Sequence, residues 1–214
     1  MPRRDGLKPW FMLGVLAVVM VLLQSCDLYG QNNASSTPSP TADTSTMPLN
    51  TWVQVAPGAE LRSEQWQSMD GNNETVTIAR FDLHRIHISV GYQSHNPPTL
   101  SGWMKQTNAL AAINGGYFDS NNISTALVVS DGQAYGTSYQ SSGGMLSVDK
   151  DGSVSLRSLN QQPYDPSTEQ LQQAIQSWPM LVVDGKATQF TADSSDRRRS
   201  VVAMDKQGRL LLIV

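Results

Sequence analysis

Two short stretches carry residue types able to act on a sugar or a phosphate. The first is Ile113-Asn114-Gly115-Gly116-Tyr117-Phe118-Asp119. Its amide and carboxylate can bind sugar hydroxyls or work on a reacting centre. The paired glycines between them are costly among apolar elements unless the backbone turns sharply or approaches something closely. The plain alternative is a tight turn or bulge in a sheet protein. The second stretch is Arg197-Arg198-Arg199-Ser200, the densest positive charge after the amino-terminal segment. Adjacent arginines are mostly solvated or ion-paired, yet a guanidinium also holds a phosphate through two parallel hydrogen bonds, which a lysine does not imitate.

The elements around these stretches must position them. A helix is expected from about Leu100 to Ala112, leading into Asn114, and an apolar strand at Ala126 to Val129 follows the glycines. From Thr51 the pattern is one of short strands. Val76 and Ile78, Phe81 and Leu83, then Ile86, Ile88 and Val90 alternate, with slips that mark bulges or a turn. Asp131-Gly132, Asp151-Gly152 and Asp184-Gly185 sit between apolar runs as hairpin signals, and Gln207-Gly208 makes a fourth. A second helix is expected after Asp165-Pro166-Ser167, with Leu171, Ala174, Ile175 and Trp178 at helical spacing and Pro179 ending it. Strands in hairpins with a few helices predict an α+β domain with a largely antiparallel or mixed sheet. Arg199 would stand at the entrance of an apolar strand, Val201 to Met204. The sequence ends on Leu210-Leu211-Leu212-Ile213-Val214, a strand with no cap, and is expected to be a fragment of a longer domain.

The 214 residues are 39% hydrophobic and 15% charged, which suits one globular domain with non-globular ends. Arg3, Arg4 and Lys8 against Asp5 give residues 1–25 a surplus of +2; the remaining 12 basic and 17 acidic residues leave −5. That balance argues against a nucleic-acid binder, whose footprint is basic. The apolar run from Trp10 to Leu23 is short for a membrane span, which needs roughly 20 residues, but suits the core of a secretion signal. Leu23-Gln24-Ser25-Cys26 resembles a bacterial lipobox, and lipidation would explain a lone cysteine in an exported chain. Each buried methylene of such an anchor contributes about 0.8 kcal/mol. Three segments result: a signal peptide at 1–25, a lipidated Cys26 with a Ser/Thr/Pro-rich tether at 26–50, and a folded part at 51–214. The location this predicts is a membrane-anchored lipoprotein of the bacterial cell envelope.

Other chemistries find no pattern. His84 and His87 lie three apart on a strand, so on opposite faces, and no Cys/His cluster accompanies them or His95. Asp119 and Asp131 are possible calcium ligands without ligand-loop spacing, so neither metal nor cofactor is expected. The phosphate-cradling Gly-Lys-Ser/Thr loop and the Gly-x-Ser-x-Gly elbow are absent. Ser142-Gly143-Gly144, before a strand at Met145 to Val148, reads as a turn with a weak likeness to a substrate-side loop.

Taken together, the blocks from about Trp52 onward resemble the phosphodiester glycosidase family. The most specific is Ala112 to Asp119; Ser177-Trp178-Pro179-Met180-Leu181-Val182 with Asp184-Gly185 is a second, Trp178 replacing a more usual small residue. Arg198-Arg199-Ser200-Val201-Val202-Ala203-Met204-Asp205 is a third, with Ser200 in place of threonine. The family pattern continues to an Asp-Gly-Gly-x-Ser block, which lies beyond Val214. The resemblance implies a hydrolase that cuts a sugar from a sugar-1-phosphodiester at the anomeric carbon–oxygen bond. Asn114 would bind sugar or phosphate oxygens, Gly115 and Gly116 would admit backbone amides, and Arg199 would pair with the phosphate, Arg198 being the alternative. Tyr117 and Ser200 would line the substrate. Asp119 would be either a carboxylate base or a brace for the loop. A non-catalytic carbohydrate-binding envelope lipoprotein is the competing expectation.

Overall fold

The computed structural model describes residues 18–22, 47–68, 71–139, 142–189 and 199–214, the first of these as backbone alone. Cys26, Arg197 and Arg198 lie outside the described residues. In chain order the strands are β1 (Val18–Leu22), β2 (Val53–Ala56), β3 (Ala59–Gln67), β4 (Asn73–Phe81) and β5 (His87–Gly91). The helix α1 (Leu100–Thr107) and strand β6 (Ala111–Asn114) follow, then β7 (Val128–Ser130), β8 (Gln133–Tyr135), β9 (Gly144–Asp149) and β10 (Val154–Ser158). The last are β11 (Leu171–Ser177), β12 (Val182–Val183), β13 (Lys186–Ala187), β14 (Val201–Met204) and β15 (Leu210–Ile213).

Two five-stranded antiparallel sheets dominate, with strand orders β14-β15-β4-β3-β2 and β10-β9-β11-β7-β8. A smaller sheet places β1 between β5 and β6, antiparallel to both. The largely antiparallel sheet in hairpins is as the sequence predicts, but with one short helix among the described residues the domain is predominantly β and has less helix than the α+β expectation.

One core joins these layers. Phe81, Leu210 and Leu212 from the first sheet meet Ile88, Val90 and Ile113 from the small sheet and Val128, Leu146 and Ile175 from the second. Burying each such side chain contributes roughly 1.5–3 kcal/mol. The second sheet is covered on its other face too, where Val129, Met145 and Ala174 pack with Leu127, Leu159 and Leu171. Neighbours Val128 and Val129, Met145 and Leu146, Ala174 and Ile175 thus enter opposite cores, as alternating strand side chains must.

This double burial corrects the second helix. The residues at helical spacing, Leu171, Ala174 and Ile175, lie on β11, and Trp178 follows its end. A central strand buried on both faces loses the apolar–polar alternation that identifies a strand. The irregularity between Leu171 and Gln173 shifts the phase further. The cap signal was real, because Asp165 accepts hydrogen bonds from the Ser167 amide and hydroxyl, and Glu169 accepts one from the Asp165 amide. One turn forms there and the chain then extends into the sheet.

The first helix is shorter than its expected span. Thr99 accepts the Gly102 amide at its start, and Asn108, left-handed at φ 52°, ends it. That early stop frees Ala111 to Asn114 to become β6. All four hairpin signals are turns: Asp131-Gly132 and Asp184-Gly185 adopt paired positive φ, and Gly152 and Gly208 are left-handed.

Candidate active site

The first candidate stretch leaves the small sheet at the end of β6. Ile113 is buried in the main core, and Asn114, next along the strand, is exposed. Ser200, just ahead of β14, donates its hydroxyl proton to Asn114 Oδ1 at 2.6 Å. This bond joins two segments 86 residues apart, so the glycine bend and the arginine segment meet. Arg199 is exposed and directly precedes Ser200, its Cα about 3.8 Å away along the chain. With Oδ1 engaged by Ser200, the Asn114 amide keeps two N–H donors.

The bend is held by close approach. A Cβ on Gly116 would lie 2.7 Å from the Gln176 carbonyl oxygen at the end of β11, closer than such atoms pack. Gly116 has no positive φ, so its requirement is space rather than left-handed backbone. Tyr117, the next residue, donates its hydroxyl to the Trp178 carbonyl at 2.9 Å, and the two rings lie 4.0 Å apart at 32°.

Asp119 closes the loop that follows. Its Oδ1 accepts the amides of Asn121 at 2.8 Å and Ile123 at 3.0 Å, and its own amide donates to the Ile123 carbonyl. Through these bonds to Oδ1, Asp119 braces the loop, one of the two roles the sequence leaves open. Tyr92 supports the same loop, its hydroxyl accepting the Ser124 amide at 3.1 Å.

Two residues of this region went unread in the sequence. Gln176 is 1% exposed, and its side chain accepts the Tyr139 amide at 3.0 Å while donating to the carbonyls of Tyr139 and Ser142. Gln173, also buried, accepts the Val90 amide and donates to Asp131 Oδ1, latching the second sheet to β5. No local pattern marks either glutamine. Their meaning as buried latches depends on partners some 40 and 80 residues away.

The Ser142-Gly143-Gly144 turn approaches the site as well. Gly143, at φ +76°, lies against the Ser177 carbonyl, where a side chain would not fit. A cavity of about 260 Å³ opens there, lined by Ser142, Gly143, Asn160, Trp178, Pro179 and Gln189 among others. A larger one, about 510 Å³, lies among the turns at the far end of β14, beside Gln54, Arg85 and Gln207. Four strand residues, about 13 Å, separate that end from Ser200. Among the described residues no three His, Cys, Asp or Glu side chains gather to hold a metal ion, and all three histidines are exposed.

Comparison with known proteins supplies a family and a fold. The phosphodiester glycosidase family model matches residues 107–214, which include the bend, Trp178 and the Arg199–Ser200 segment. Among solved structures, the zebrafish N-acetylglucosamine-1-phosphodiester alpha-N-acetylglucosaminidase catalytic domain, auto-inhibited by pro-peptide, superposes with a TM-score of 0.55 at 21% identity. That match covers 74% of this chain and 61% of the zebrafish chain, and its likeness is one of fold. A search of curated proteins gives no match. With the family model spanning half of the sequence and the two segments it contains meeting at one hydrogen bond, the chain belongs to the phosphodiester glycosidase family.

Proposed function

We propose that this chain hydrolyses a sugar-1-phosphodiester, releasing the sugar and leaving a phosphomonoester. The observation that carries the reading is the hydrogen bond from Ser200 to Asn114, which joins the exposed amide residue to the segment in which exposed Arg199 directly precedes Ser200. A phosphate is a good leaving group, so the bond between the anomeric carbon and the phosphate oxygen breaks with little protonation. The difficulty lies in the positive charge growing on the anomeric carbon and the negative charge growing on the phosphate. Arg199 would neutralise the second through paired hydrogen bonds, and the Asn114 donors would fix a sugar or phosphate oxygen. The electron pair of the broken bond leaves on the phosphate oxygen, water supplies the hydroxyl that joins the anomeric carbon, and the second proton of that water passes to the released phosphomonoester or to solvent.

The material acted on is proposed to be envelope or exopolysaccharide glycan, reached by a protein exported and held to the membrane through a lipid on Cys26. A binding-only function is the second reading. It draws on Asp119, whose Oδ1 is occupied by two loop amides. Release of sugar from an N-acetylglucosamine phosphodiester, lost in Arg199→Ala with an unchanged thermal transition, supports hydrolysis. Glycan binding without turnover of any sugar phosphodiester overturns it. Fatty-acid labelling that persists in Cys26→Ser overturns the anchor.

A further inference from the structure

Tyr117, Trp178 and Tyr139 form a contiguous aromatic shelf. Trp178 stacks on Tyr117 at 4.0 Å and meets Tyr139 edge-on at 5.7 Å and 80°. Trp178 is 39% exposed and Tyr139 is 40% exposed. Single exposed aromatics are ordinary, but two exposed rings, one of them also stacked on half-buried Tyr117, beside a cavity are an apolar surface left open to water, the mark of a binding face. We propose that this shelf, with the adjoining cavity, is the subsite for one pyranose ring of the substrate. The assignment rests on the hydrolysis proposed above and names where the sugar sits.

Position favours it. Tyr117 stands three residues after Asn114, so the shelf begins at most about 11 Å along the chain from the amide donors. Gly116, between them, is pressed against the same β11 terminus that carries Trp178.

Rigidity favours it too. The Tyr117 hydroxyl is bonded to the Trp178 carbonyl, and buried Gln176 grips Tyr139 through both its amide and its carbonyl. The Tyr117 ring and the backbone that carries Trp178 and Tyr139 are thus held in place, which lowers the ordering cost of binding against them.

Chemistry selects the occupant. A pyranose has a face of C–H groups, weakly positive, and a rim of hydroxyls. The C–H face suits the negative face of an indole or phenol ring. The rim suits the cavity of about 260 Å³, where Ser142, Asn160 and Gln189 bring hydroxyl and amide groups. Its size admits one ring and not a chain of them. A lipid tail would match the shelf but leave those polar groups without partners.

The test uses the whole chain and does not require turnover. Saturation-transfer NMR with methyl N-acetylglucosaminide and methyl glucoside should show magnetisation passing from wild-type protein to the ring C–H protons. The signal should vanish in Trp178→Ala, weaken in Tyr139→Ala and persist in Trp178→Phe, with circular dichroism melts confirming folding. With a turned-over sugar phosphodiester, Trp178→Ala should raise KM about fivefold to tenfold, with the smaller part of the loss in kcat. Unchanged saturation transfer and KM in Trp178→Ala would sink the shelf and leave the hydrolysis standing. Saturation transfer to octyl phosphate in place of either glycoside would assign the shelf to a lipid and sink the sugar subsite. A protein that binds the glycosides through Trp178 by this measure, yet turns over no sugar phosphodiester, upholds the shelf and removes the hydrolysis.

Discussion

Ser200 donates its hydroxyl to the side-chain carbonyl of Asn114 across 2.6 Å, and through that bond the strand bearing the arginine segment reaches the end of β6. Ser200→Ala should leave Asn114 free to rotate its amide and lower kcat/KM about tenfold, the worth of one well-made hydrogen bond. Ser200→Thr keeps the hydroxyl and should retain most of the rate. Steady-state kinetics on a sugar phosphodiester would read both; equal losses in the two variants would deny the bond any orienting role.

Gly116→Ala places a methyl group against the Gln176 backbone carbonyl, which has no side-chain freedom with which to yield. The expected cost is about 1–3 kcal/mol of stability. Loss of turnover should accompany it, because the bend and the β11 terminus must part. Chemical denaturation would measure the first, and an alanine variant as stable as wild type would mean that the bend and β11 do not press together.

Gln176→Leu should be more harmful than its conservative volume suggests. It strips partners from the Tyr139 amide and carbonyl and from the Ser142 carbonyl, at roughly 0.5–1.5 kcal/mol for each part-buried hydrogen bond lost. Hydrogen exchange at the Tyr139 amide should accelerate in step. Gln176→Glu, able to accept but not donate, should fall between.

Asp205 links stability to acid. Burial pushes its carboxyl up, but the Arg209 amide and guanidinium and the Gln207 amide outweigh burial and hold it below the ordinary carboxylate value of 3.8. A group depressed in the folded state stabilises fully above its unfolded pKa, and that contribution disappears as pH falls through the folded value. Wild type should therefore lose stability below about pH 4 more steeply than Asp205→Asn, which is already weaker at neutrality. Parallel melting curves from pH 6 to pH 2 would show it; superimposable acid limbs would contradict it.

How much of the fold and site was legible in the sequence follows from where the signals act. Asp131-Gly132 and Asp184-Gly185 dictate their own backbone, so the hairpins were readable from two residues each. The bend at Gly115-Gly116 was readable as costly and hence purposeful. Leu171 to Trp178 misled because both faces of β11 are buried, which erases the strand period and leaves Leu171, Ala174, Ile175 and Trp178 at a helix's spacing. The juxtaposition of Asn114 with Ser200 is a tertiary fact that no local pattern encodes, and family blocks alone hinted at it.

The position of β1 bears on what removal of residues 1–25 would do. Among the described residues Val18–Leu22 is the strand that bridges β5 and β6, pairing Val90 on one side and Ile113 on the other through Val19. Were a signal peptidase to cut before Cys26, this strand would depart with the leader and expose two unpaired ladders beside Asn114. Bare strand edges recruit whatever extended chain is at hand. Such a cut would convert a self-complemented sheet into an acceptor, to be healed by another segment of polypeptide or by self-association.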